Sequence, residues 1–146
     1  MMASRVDALV QAIKTALTAP AMTSVPVGDI YVDLVYAIDQ TKTLALAIEE
    51  GIEPEPNLNG LIGRAERRVN VDVHVIAKGL APFRGADPAL VESYNRIMAD
   101  RTLGGLALDI QEGPTERRRA PAEQSIGVIT KTYIVEFRTS AHSLEN

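Results

Sequence analysis

The sequence contains no cysteine. Disulfides, thiolate nucleophiles and cysteine-based zinc sites are therefore excluded, and a reducing cytosol suits the chain, as it does any cysteine-free protein. Histidine is nearly absent as well, with only His74 and His142. Zinc needs three or four ligands at useful spacing, and two distant histidines do not supply them. No apolar run approaches the roughly 18–20 residues of a membrane span. Met1 to Leu17 mixes Arg5, Asp7 and Lys14 among its apolar residues, unlike a signal peptide, so a soluble protein that starts in the cytoplasm is expected. A basic excess is also missing: the net charge of −4 argues against a general phosphate binder, while leaving room for a local basic patch.

What is present is an ordinary globular composition. The 146 residues are 46% apolar and 23% charged, values near the averages for folded domains. A compact chain of this length hides roughly 68–70% of its unfolded surface, enough for a core of its own.

The first element reads as a helix over about 4–18. Val6, Leu9, Val10, Ile13, Ala16 and Leu17 form one apolar stripe, Ser4 is placed as N-cap and Asp7 favours the positive end of the dipole. Pro20 ends it, because the residue before a proline leaves the helical region. Residues 29–38 fit a strand by alternation and a helix by the spacing of Ile30, Leu34, Ala37 and Ile38, so both readings stand. Thr43 to Glu49 reads as a buried strand, with Leu44, Leu46 and Ile48 among alanines. Gly51 to Gly63, rich in proline, glycine and asparagine, predicts a long mobile connection.

The clearest strand follows. Val69, Val71, Val73, Val75 and Ala77 face one way and Asn70, Asp72 and His74 the other. Gly79 to Gly85 predicts a loop, with Asp87 capping a second helix and Pro88 at its first position. Leu90, Val91, Tyr94, Ile97 and Met98 are expected on its buried face, with Glu92 and Arg96 paired outside. A C-terminal β-hairpin is expected next. Its first arm alternates Leu106, Leu108 and Ile110, and its second runs from about Ile126 to Thr139 with Ile129, Tyr133, Val135 and Phe137 on one face. The prolines flanking Arg117, Arg118 and Arg119 suggest a basic hairpin tip. The expected fold is α+β: a largely antiparallel sheet with two packed helices and a long C-terminal β-hairpin. Residues 1–146 are read as one domain, with 140–146 a loose tail.

Chemistry is sparse. His74 shares a strand face with Asp72, but no Gly-x-Ser-x-Gly motif accompanies them, and a half-exposed strand histidine is the expectation. Glu49, Glu50, Glu53 and Glu55 lack a calcium-loop pattern and read as a solvated acidic turn. Gly104-Gly105 lacks the lysine of a phosphate loop and is expected to shape a turn. Arg117, Arg118 and Arg119, with a second cluster at Arg64, Arg67 and Arg68, are the remaining candidates. Either cluster suits an acidic neighbour or phosphates, although neither has the interleaved aromatics of a single-strand binder. An assembly or binding module is favoured over an enzyme, and no cofactor is expected.

The run Asp100-Arg101-Thr102-Leu103-Gly104-Gly105-Leu106-Ala107-Leu108-Asp109-Ile110-Gln111-Glu112-Gly113 resembles a segment of tail terminator (minor tail, tail completion) proteins of long-tailed bacteriophages and prophages. The closing run from Gly127 to Thr139, the opening amphipathic helix and the strand before Lys78-Gly79 are similar to that family as well. The resemblance implies a non-catalytic virion subunit. It would form a hexameric ring capping the tail tube, would present a docking surface to a head-completion protein, and would lie in the virion tail after assembly in the host cytoplasm. The two arginine clusters would then supply contacts between subunits or to the tube, or line the lumen through which DNA passes. A head–tail connector, a small enzyme using His74 and Asp72, and a nucleic-acid binding module are the competing expectations.

Overall fold

The computed structural model describes residues 4–33, 43–58, 62–120 and 123–145. Helix α1 spans Arg5–Thr18, capped by Ser4, whose hydroxyl accepts the Asp7 N–H at 3.1 Å. A short 3₁₀ turn at Val27–Asp29 leads into β1, Ile30–Val32. Then come β2 (Leu44–Glu50), β3 (Arg64–Lys78), α2 (Pro82–Ala99), β4 (Asp109–Ala120) and β5 (Glu123–Ser140). The strand-or-helix question for 29–38 is answered as strand only up to Val32, because the residues from Leu34 to Ile38 lie outside those described.

The five strands form one sheet in the order β1-β2-β3-β5-β4. Every pairing is antiparallel except β1 with β2. Both helices cover the same face. Leu9, Val10, Ile13 and Leu17 of α1 and Ala86, Ala89 and Ile97 of α2 join Leu46, Ile48, Val71, Val73, Val75, Tyr133, Val135 and Phe137 in a single core cluster. Burying each large apolar side chain of that set stabilises the fold by about 1.5–3 kcal/mol. The opposite face carries Asn70, Asp72, His74, Thr130 and Thr132, half-buried, with no helix over them among the described residues. This is the expected α+β architecture: a largely antiparallel sheet, two helices and a long terminal hairpin.

Several local expectations are corrected. Helix α2 begins at Pro82, not Asp87, and Pro88 lies inside it. Pro82 takes the first position, where a missing N–H costs nothing. It is held there by packing, since a Cβ on Gly127 of β5 would lie 3.0 Å from both Pro82 Cβ and the Phe83 ring. The buried face of α2 holds Ile97 as expected, with Leu90, Tyr94 and Met98 packed at its margin, but centres on Pro82, Ala86, Ala89 and Ser93 and leaves Val91 50% exposed. The alternation expected for Leu106, Leu108 and Ile110 also fails. Residues 101–106 are turn, the strand starts at Asp109, and Ala107 is buried while Leu108 is exposed.

The segment after Gly51, expected to be mobile, is tied to β3. Gly51 N–H donates to the Asn70 carbonyl at 2.7 Å, and Asn57 and Glu66 exchange backbone hydrogen bonds at 2.7 and 2.9 Å. Residues 59–61 lie outside those described. Past Ser140, expected to be loose, the backbone holds two hydrogen bonds to other parts of the fold. Ala141 N–H donates to the Gly63 carbonyl at 2.9 Å and Arg5 N–H to the Leu144 carbonyl at 2.7 Å.

Candidate functional site

The arginines expected at a hairpin tip lie within strand β4 instead. Arg117 pairs with Ile129, Arg118 with Val128 and Arg119 with Gly127. The flanking proline misleads because Pro114 sits at a β-bulge between Glu112 and Thr115 on an edge strand, one of the few places where a strand tolerates proline. Gly113 is required there: a Cβ would lie 2.8 Å from the Thr132 carbonyl oxygen.

Side-chain alternation then splits the triplet between two faces. Arg117 and Arg119 stand on the helix side, where the Arg119 guanidinium lies 5.2 Å from the centre of the Phe83 ring. Arg118 stands on the open side and pairs with Glu116 at 2.6 Å. The second set is likewise divided. Arg67 donates to Thr139 Oγ1 at 2.8 Å and reaches Glu53 at 3.8 Å, whereas Arg64 and Arg68 are exposed. The two clusters do not meet, since β3 and β4 are separated by β5 and their arginines sit at opposite ends of it: Arg68 opposite Glu136, Arg118 opposite Val128.

Next to Arg117 the structure places a group that periodicity alone did not single out. Lys131 continues the inward series Ile129, Tyr133, Val135, and its side chain is only 7% exposed. The ammonium donates to Glu112 Oε1 at 2.5 Å, to Thr115 Oγ1 at 3.0 Å and to the Gly113 carbonyl at 3.1 Å, which occupies all three N–H donors. It also lies 5.8 Å from the centre of the Tyr94 ring. Tyr94 Oη donates to the other Glu112 oxygen at 3.3 Å. Hydrogen bonding to Lys131, then its charge, holds the Glu112 carboxyl below the usual carboxylate range. Beneath them the Tyr133 hydroxyl is buried without a hydrogen-bond partner among the described residues, and burial pushes its ionisation far up. Tyr94, Glu112, Thr115 and Lys131, with Leu90, Val91 and Arg117, line a cleft of about 230 Å³ between α2 and β4. An amine whose donors are all engaged is a structural cation rather than an attacking one. The signal for it was the strand register itself, in which a lysine on the inward parity must find partners.

His74 does not pair with Asp72. Its Nδ1 lies 2.7 Å from Thr130 Oγ1 and its Nε2 3.0 Å from Glu49 Oε2, while Asp72 accepts from Thr132 Oγ1 at 2.6 Å. Among the described residues no three His, Cys, Asp or Glu side chains come together as a metal site. The acidic turn is dispersed: Glu49 holds His74 and Glu53 faces Arg67. Gly104 and Gly105 do shape a turn, at φ 70° and 93° beside Leu103 at 49°. Asp100 closes it, accepting from Thr102 N–H at 3.1 Å and Gly104 N–H at 2.8 Å.

The arrangement thus defines a two-layer α+β domain whose second sheet face carries no helix among the described residues and whose edge strand ends in three arginines. No protein-family model and no curated protein matches the sequence. Among solved structures, a chain of the virion of a native gene transfer agent particle shares the fold with a TM-score of 0.66. The match covers 90% of this chain and 95% of that one at 17% sequence identity, so the likeness is one of fold. Among the described residues no helix is long and apolar enough to cross a membrane.

Proposed function

We propose that the chain is a structural subunit of a phage-like virion, forming a ring of six copies that caps the tail tube and presents the surface on which the head docks. The observation that carries this reading is the near end-to-end match, 90% of one chain and 95% of the other, with a virion component. The resemblance of residues 100–113 and of the closing strand to tail terminators supports it independently. So does the character of the catalytic candidates, since His74 and Asp72 are each engaged in hydrogen bonds internal to the fold. Its partners are further copies of itself, the tail tube protein and a head-completion protein, with DNA passing through the ring. It assembles in the host cytoplasm and ends in the virion tail. Ring subunits meet head-to-tail, so two different surfaces of one chain must complement each other. Arg117, Arg118 and Arg119 on β4 serve one such contact, and the set Arg64, Arg67 and Arg68 serves a second contact between subunits or to the tube, through the exposed Arg64 and Arg68 with Arg67 bracing the strand end.

Negative-stain electron microscopy of the purified chain, together with co-sedimentation on tail tubes and on DNA-filled heads, tests this. Six-membered rings and binding to tube ends are expected. Binding to heads without tubes would replace the capping role with that of a head–tail connector.

A further inference from the structure

The two edges of the sheet differ in local charge. At one edge, β4 has a strand neighbour on one side only; its Asp109 and Glu112 pair with Arg101 and Lys131, and its end exposes Arg117, Arg118 and Arg119, of which Arg118 pairs with Glu116 at 2.6 Å. At the other edge, where β1 and β2 end, Asp33, Glu50 and Glu53 are exposed together. Asp33 and Glu50 have no cationic partner among the described residues, and Glu53 reaches only Arg67 at 3.8 Å. The crowding is felt locally: partial burial, then repulsion from Asp33, Asp7 and Glu53, pushes the Glu50 carboxyl up.

From β4 to β1 is four strand steps, about 19 Å at roughly 4.8 Å per step. Screening acts over only about 8–10 Å at physiological salt. The two edges of one molecule therefore cannot neutralise each other, but the opposite edges of two molecules can.

We propose that the basic β4 edge of one copy docks on the acidic β1–β2 edge of the next, so that copies join head-to-tail through this charge pairing. The inference rests on the ring reading above and names its subunit contact. A second copy fits better than nucleic acid. DNA on β4 would leave the acidic edge uncompensated. A second copy compensates both edges with one contact and leaves each copy with a further edge to offer, the requirement for closing a ring.

The test uses the full-length chain and two charge reversals at exposed positions: Arg117→Glu with Arg118→Glu, and Glu50→Lys with Glu53→Lys. Thermal unfolding first confirms that both variants fold. Self-association is then followed by sedimentation velocity at low and physiological salt, and capping by co-sedimentation with tail tubes. Wild-type association is expected to weaken with salt. Each reversal alone is expected to weaken it at least about tenfold, since like charges then face each other. An equimolar mixture of the two variants is expected to restore it, because each reversed edge meets a complementary one. Association unchanged by either reversal, or a mixture no better than its components, overturns the edge contact. If both variants also cap tubes like wild type, the capping role survives that failure. A wild-type chain that neither self-associates nor caps tubes removes the capping role and this contact together. Salt-sensitive DNA retention lost in Arg117→Glu/Arg118→Glu, with self-association intact, reassigns the arginines to nucleic acid and overturns the proposal.

Discussion

Lys131 presents its ammonium to Glu112 across the edge of the sheet, Nζ 2.5 Å from Oε1, from a side chain that is itself only 7% exposed. The partner is half in water at 53% exposure, so the contact is a buried cation reaching outward to an anchored anion. Its strength lies in geometry rather than charge alone, since Thr115 and the Gly113 carbonyl take the remaining protons.

Lys131→Ala is predicted to lower stability by about 2 kcal/mol, through the cavity left by the aliphatic stem and the acceptors left without a donor. Lys131→Met keeps the stem and is predicted to stay within about 1 kcal/mol of wild type, because a buried ionic group often exchanges for an apolar one of similar volume at little cost. Urea unfolding distinguishes the two. A Met variant as damaged as the Ala variant would show that the charge, not the packing, matters here.

Acid should weaken the tie between the two helices. Glu92 of α2 accepts from the Ser24 hydroxyl at 2.6 Å and N–H at 2.9 Å, and from the Thr23 N–H at 2.9 Å and hydroxyl at 3.0 Å. These bonds, the Ser24 hydroxyl foremost, lower its carboxyl to about 2. Arg96, one turn on, donates to the carbonyls of Pro20 and Ala21, so α2 clamps the segment after α1 twice. A carboxyl lowered by folding stabilises the fold above its unfolded value of 4.5 and loses that contribution as pH falls toward about 2. After solvent screening the effect is roughly 1–2 kcal/mol. Glu92→Gln should be less stable than wild type at neutral pH and show a flatter decline between pH 4.5 and 2. Unfolding free energies measured across that range check it, and identical slopes in the two proteins would count against the clamp.

Gly113→Ala probes the bulge that lets β4 run on as a strand. The new Cβ would meet the Thr132 carbonyl oxygen at 2.8 Å and Thr132 Cβ at 3.2 Å, and backbone there cannot yield cheaply. A loss of about 2 kcal/mol is predicted, within the range for overpacking. Because Gly113 also offers its carbonyl to Lys131, the same change should loosen the lysine network. Amide hydrogen exchange in residues 109–120 would report this as faster opening, and unchanged exchange there would mean the bulge adapts.

The sequence showed these relationships unevenly, for physical reasons. The valines from Val69 to Val75 alternate because one face of β3 lies in the core beneath α2, and that period is legible in any window. The Ser4 cap and the Gly104-Gly105 turn are local chemistry, legible in a few residues. The start of α2 is ambiguous in the sequence because Pro88 satisfies the rule for a first helical position as well as Pro82 does. What decides between them is the packing of Pro82 and Phe83 on Gly127, residues far apart in sequence. Pro114 was read as a loop signal for the same reason: only the strand order shows that β4 is an edge, where a proline at a bulge is tolerated. Lys131 stayed hidden because its partners, Glu112 and Thr115, become neighbours only through the hairpin register.

His74 offers the sharpest separation between an assembly subunit and an enzyme. It lies on the bare sheet face, opposite Ala47 on β2 and Thr130 on β5, with both ring nitrogens engaged by Thr130 and Glu49. A general base needs a nitrogen free to take a substrate proton, and a nucleophile beside it. Here the neighbouring hydroxyl, Thr130, is itself part of a cross-strand contact on a half-buried surface. His74→Gln, which retains a donor and an acceptor of similar reach, is predicted to change stability by less than about 1 kcal/mol. It should leave ring formation and tube capping at wild-type levels, measured by electron microscopy and co-sedimentation. Intact assembly with an activity lost on the same substitution would place chemistry on this face and give the chain a second role.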